Sequence, residues 1–269
     1  MTMKTDFETE HHEAPPSVEQ LSHFLSDYGA WLMGVGATCI RLEKNLGRIA
    51  RAYGKDVEVS IMPRHLHLEV SDSGDSSPAV TSIAPIPHTP VSFNINTGLS
   101  RLSWEIADGR ISFGQAQQKF RKIISDDYQS RWIVLILVAL ANASFCRLFG
   151  GDFVAMGIVA VATFVGYYLK QILLSKKADI RLVMLLCAFG SAVIGATGAL
   201  FGLGATPYTA LGTSVLYLVP GIPFLNSFSD LIYRHYLCAL SRFMDAVVLT
   251  CCLSAGLCAA MLLMRTGMF

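Results

Sequence analysis

Residues 131–269 carry five successive apolar segments, near 132–149, 153–174, 182–203, 208–225 and 243–264. Each is about the 17–25 residues that a helix needs to cross a bilayer. The hydrocarbon core offers backbone amides no partner, so segments of this kind fold as helices. The second half of the chain must therefore be a helical membrane bundle. Only 15% of all residues are charged, against about 25% in an ordinary soluble domain. Trp132, Tyr167, Tyr168 and Tyr208 fall near segment ends, where aromatic belts form. The fourth segment is broken at Val219-Pro220-Gly221-Ile222-Pro223, with Asn226 and Asp230 just beyond.

Basic residues set an expected orientation. Lys119, Arg121, Lys122 and Arg131 precede the first segment. Lys170, Lys176, Lys177 and Arg181 surround the second loop, and Arg234 and Arg242 the fourth. The opposite side offers only Arg147 and Arg265. The positive-inside rule then puts residues 17–130 and the even loops in the cytoplasm, with the C-terminus on the opposite side. The first residues lack a basic stretch followed by an apolar one, so they do not read as a signal peptide. A net charge of +1 and the absence of a basic stripe argue against nucleic acid.

Residues 1–16, acidic and ending in Pro15-Pro16, are expected to be a disordered tail. Ser17 and Gln20 have the spacing of a capping box. Two helical patterns follow, through Leu21–Leu32 and Ile40–Tyr53, with a break near Gly34–Gly36 and a stop at Gly54. Alternation predicts strands over 57–62 and 66–70 and another over 80–85, with Val91 to Asn94 able to finish the sheet. Helices are predicted over 96–107 and 112–124. The expected fold is a membrane all-α bundle of five transmembrane helices preceded by a small cytoplasmic α+β domain, 17–130 and then 131–269.

Proline in a membrane helix removes a backbone donor and clashes with the preceding turn. The opened backbone at Pro220, Gly221 and Pro223 is thus a candidate solute site, of the kind half-helix ends supply in transporters. A plain kink is the rival reading. Asn226, Asp230 and Arg234 are spaced by four and would share a helix face. Asp230 would take a proton or cation and Arg234 would meet it or a carboxylate; the rival is an ordinary salt bridge outside the bilayer. Asn142 would line a pathway, whereas Ser144 and Cys146 read as packing. Gly198 and Gly202 form a GxxxG pair for close helix approach.

Other groups carry less chemistry. His65, His67 and Glu69 share a strand face, but no further ligand joins them, so no metal site is expected. Gly34-x-Gly36 is not placed as a dinucleotide loop. Arg41, Glu43 and Arg48 read as surface or interdomain pairs. The seven cysteines show neither zinc spacing nor a disulfide framework. No catalytic constellation is present, so no enzyme activity and no cofactor are expected, and the lack of a GxxxxGK[ST] motif argues against direct ATP drive.

Several stretches together resemble the threonine/serine exporter (ThrE-type) family, in its split-subunit, YjjP-like form. They are Arg41-Leu42-Glu43, Tyr53-Gly54, Arg131-Trp132, Ala143-Ser144-Phe145-Cys146, Gly150-Gly151-Asp152, and Val219 through Asn226 with Asp230. The resemblance covers nearly all of residues 20–269. It implies an inner-membrane secondary exporter of small carboxylates, either succinate-type dicarboxylates or threonine and serine. It also implies a second small membrane subunit, YjjB-like, as partner within the lipid bilayer; a homo-oligomer is compatible with the same pattern. The competing expectation is a membrane-anchored enzyme or sensor whose cytoplasmic domain carries the activity.

Overall fold

A computed structural model describes residues 15–74, 78–125 and 130–264. The expected tail (up to residue 14) and Arg265 lie outside the described residues. The chain forms two compact units. The first comprises Met1–Asp127 with Asn226–Ser241, and the second Tyr128–Leu225 with Arg242–Phe269. Residues 226–241, read above as part of the membrane half, thus cluster with the N-terminal unit.

The first unit opens with α1 (Val18–Gly34) and α2 (Cys39–Ala52). Ser17 and Gln20 close the capping box reciprocally. Three antiparallel strands follow, β1 (Lys55–Ile61), β2 (His65–Asp72) and β3 (Val80–Pro85), in the order β1-β2-β3. The register places Val57 opposite Val70, Val59 opposite Leu68 and Ile61 opposite Leu66. Alternation then sends these side chains to one face and Glu58, His67 and Glu69 to the other. The apolar face packs on α1, whose Leu21, Leu25, Tyr28 and Leu32 are fully buried. Gly29 permits that approach, because a Cβ there would lie 2.5 Å from Leu66 Cδ2. Ser22, buried on the same face, bonds Ser82 at 2.5 Å.

Two more helices complete the N-terminal part, α3 (Phe93–Ala107) and α4 (Phe113–Ser125). Val91 to Asn94 do not finish the sheet. Ser92 caps α3 through the Ile95 amide, so the chain turns helical there. Three side-chain bonds tie α2 to α3 at one constant offset: Arg41 to Asn96, Asn45 to Ser100 and Arg48 to Ser103. The two helices therefore run parallel and in step.

The second unit contains α5 (Arg131–Leu148), α6 (Phe153–Ser175) and α7 (Ile180–Phe201), close to the expected spans. The fourth span is not one helix. It is α8 (Pro207–Thr213), a 3-10 turn at Leu216–Leu218, then α9 (Gly221–Ile232). The pieces on either side of Pro220 are bent by 59°. Last comes α10 (Tyr236–Met264), longer than the segment expected. Among the described residues four helices are long and apolar enough to cross a membrane, or five if the bent pair is one span.

Candidate functional site

In the second unit polar side chains meet where the short α8 and its 3-10 turn pack among the longer helices. Asn142 on α5 is buried and donates to Thr163 Oγ1 on α6 at 2.6 Å and to the Thr213 carbonyl on α8 at 3.1 Å. Beside Thr163, the Ala162 carbonyl accepts from Ser191 Oγ of α7 at 3.2 Å. Ser191 in turn bonds the Tyr217 hydroxyl at 2.9 Å. The seam thus joins α5, α6, α7, α8 and the turn before the prolines. In hydrocarbon an unpartnered polar group is costly, so these bonds specify how the helices pack.

Glycine makes the seam compact. A Cβ on Gly166 of α6 would lie 2.1 Å from both Ser191 Oγ and Tyr217 Oη. One on Gly195 of α7 would lie 2.7 Å from Ser214 Oγ. A Cβ on Gly198 would meet Ile158 and Pro207. Gly202 stands in open space. It ends α7 at φ 63°, in the left-handed conformation that glycine adopts freely, and nothing lies within 4 Å of its would-be Cβ.

The prolines sit at the break itself. Pro220 is buried, and the Gly221 amide turns back to the Val219 carbonyl at 2.8 Å. Pro223 falls in the first turn of α9, where amides have no intrahelical partner and proline costs nothing. Phe224 packs edge-on to Phe243, with ring centroids 5.9 Å apart.

Asn226 and Asp230, on the later part of α9, belong to the first unit. Asn226 Nδ2 donates to the Gly36 carbonyl at 2.8 Å. Asp230 is fully buried, and its Oδ1 accepts the Cys39 amide at 2.9 Å. Thr38, at the N-cap of α2, makes no side-chain capping bond. A carboxylate 191 residues away supplies that acceptor instead, at the end of the helix that favours negative charge. The loop after α9 and the start of α10 join in: the His235 amide bonds the Asp230 carbonyl, His235 Nε2 lies 3.5 Å from Glu43 Oε1, and Cys238 of α10 is buried in the core of this unit.

Arg234 leaves the expected shared face. The helix ends at Ile232, and Arg234 has φ 66° and is exposed. Neither the capping of α2 by Asp230 nor the Ser191–Tyr217 contact has a local sequence signal, since each pairs residues far apart in the chain. Asp152 staples the ends of two loops in the second unit. Its carboxylate accepts the Ala155 and Ala205 amides, and these bonds hold it below the usual carboxylate range. Among the described residues no cluster of three or more His, Cys, Asp or Glu could hold a metal ion.

A bundle of apolar helices, joined by buried polar bonds and broken at proline in one span, defines a multispan membrane protein. The family model described as "Putative threonine/serine exporter" matches residues 23–264, and the chain belongs to that family. It is similar to the "Probable succinate transporter subunit YjjP" of Escherichia coli (strain K12), 27% identical over 237 residues, covering 87% of this chain and 90% of the relative. The protein of the same name from Klebsiella aerogenes is 26% identical over 235 residues, covering 86% and 89%. No solved structure matches the chain. The family and both relatives are transporters, not enzymes, which sets aside the enzyme reading.

Proposed function

We propose that the chain is the inner-membrane subunit of a secondary exporter of small carboxylates, working with a second small membrane subunit of the same family. The relatives are named as subunits of a succinate transporter, which supports both a dicarboxylate solute and a partner. The observation that carries the reading is the prolyl break of 59° beside a buried polar seam. In this reading Pro220, Gly221 and Pro223 form the bending point, and opening the seam at Asn142 exposes bonding groups to the solute. α9 is one helix from Gly221 to Ile232, so bending at its start moves Asn226 and Asp230 as well. Their bonds to Gly36 and Cys39 link transport to the N-terminal unit. Arg234, exposed beyond the helix, draws anions toward the pathway. The basic loops support a cytoplasmic N-terminal unit and a periplasmic C-terminus.

Efflux of labelled succinate and threonine, from cells bearing this chain with and without the second subunit, tests the proposal. Succinate efflux should require both. Unchanged efflux of every carboxylate tried refutes it.

A further inference from the structure

The first unit carries a cationic cleft that the export reading does not use. Arg41, Lys44 and Arg48 recur at spacings of three and four on α2, so they share one face. With Thr97, Ser100 and Trp104 of α3 they line a cleft of about 520 Å³, within the size range of small-molecule sites. No carboxylate lines it. Among the described residues, none of the three cations forms an ion pair.

The guanidinium groups are nonetheless held in place. Arg41 Nη1 donates to Asn96 Oδ1 at 2.8 Å. Arg48 Nη1 donates to Asn45 Oδ1 at 3.0 Å and Ser103 Oγ at 2.5 Å, and its Cζ lies 3.7 Å over the Trp104 ring. All these partners are neutral, so the charges are oriented but not cancelled. Glu43, the acid nearest in sequence, instead faces His235. Like charges on one helix face are unfavourable, and desolvation already lowers the Arg48 pKa. An incoming anion relieves both.

Spacing selects the anion. Arg41 and Arg48 are two helical turns apart, about 10 Å along the axis, and so are their anchors Asn96 and Ser103 on the parallel α3. A single phosphate reaches one pole. A short linear dianion reaches both, with a carboxylate at each guanidinium, Lys44 between them and the Thr97 and Ser100 hydroxyls facing its middle. We propose that the α2–α3 cleft is a binding site for a small dicarboxylate, separate from the membrane pathway. The site lies wholly in the first unit and needs neither partner nor gradient, so it stands or falls independently of the efflux experiment.

Titration calorimetry on the purified full-length chain, with succinate, acetate, threonine and inorganic phosphate, tests this. Succinate should bind about tenfold or more tighter than acetate, threonine or phosphate. The paired variant Arg41→Gln with Lys44→Gln should weaken it about tenfold or more. Both side chains are exposed, so this variant leaves the core intact, and thermal melting verifies that. Arg48→Gln should weaken binding further, and because Arg41 and Arg48 both tie α2 to α3, the melting of every variant is compared with the native chain. Succinate binding no tighter than phosphate or acetate overturns the proposal. So does succinate binding that the Arg41→Gln, Lys44→Gln pair leaves intact.

Discussion

In the first unit Tyr28, Leu42, Leu46, Ile49 and Leu68 are buried almost completely, whereas in the second Phe153 is 79% exposed, Leu148 77% and Phe201 68%. The interior of the second unit interleaves Cys187, Ala188, Ala192, Ala196 and Ala260 with larger residues such as Val183, Met184, Leu211 and Leu218. Both units are rich in apolar residues, so apolarity does not separate them. The share of small residues in the interior does. In water, burying a large side chain is the main driving force. In lipid that force is absent between helices, and close approach by small residues plus interhelical hydrogen bonds takes over. The comparison explains why the second unit depends on Gly166, Gly195 and the Asn142 seam while the first depends on a leucine-rich core.

The largest expected effect breaks the comparison if it fails. Leu46→Ala in the first unit should destabilise by about 2–5 kcal/mol. Leu140→Ala on α5, where the side chain is 59% exposed, should stay within about 0.5 kcal/mol. Thermal melting of the purified chain compares them, and equal losses would mean the two units do not differ in this way.

Asp230 sharpens the boundary between structure and transport. As a cap for α2 it should contribute about 1–2 kcal/mol, lost in Asp230→Ala and largely retained in Asp230→Asn. Hydrogen exchange at the start of α2 reads the difference. If both variants leave that exchange unchanged yet abolish efflux, the carboxylate acts on the solute or proton alone. Smaller again, Asn142→Leu should cost about 0.6–1.7 kcal/mol, the range of membrane hydrogen bonds, seen in melting of the whole chain.

The smallest effect concerns pH. Asp152 has a folded pKa below its unfolded value. Its contribution is therefore present above the unfolded value and is lost as pH falls through the folded one. Melting against pH should show this acid-side loss in the native chain and lack it in Asp152→Asn.

Local pattern revealed most elements. Alternation placed β1 and β2 within two residues of each end, helical spacing located α1 through α4, and hydropathy found α5, α6 and α7. Gly54, at φ 67°, does follow the end of α2. The misses have two causes, local helix starts and stops that override a pattern and contacts between distant segments. Phe93 and Asn94 look fit for a strand, but the Ser92 cap starts α3 there. The spacing Asn226, Asp230, Arg234 suggests one face, but the helix stops before Arg234. Asp230 looks like a membrane carboxylate, and its amide partner lies 191 residues earlier. Ser191 and Tyr217 look unremarkable alone, and they meet where Gly166 leaves room for them.

Succinate efflux in the Pro220→Ala, Pro223→Ala double variant, with expression and melting matched to the native chain, probes the bending point most directly. Loss of most efflux from a folded, membrane-inserted protein is the expected result. Native efflux from a chain whose fourth span can run straight would contradict it.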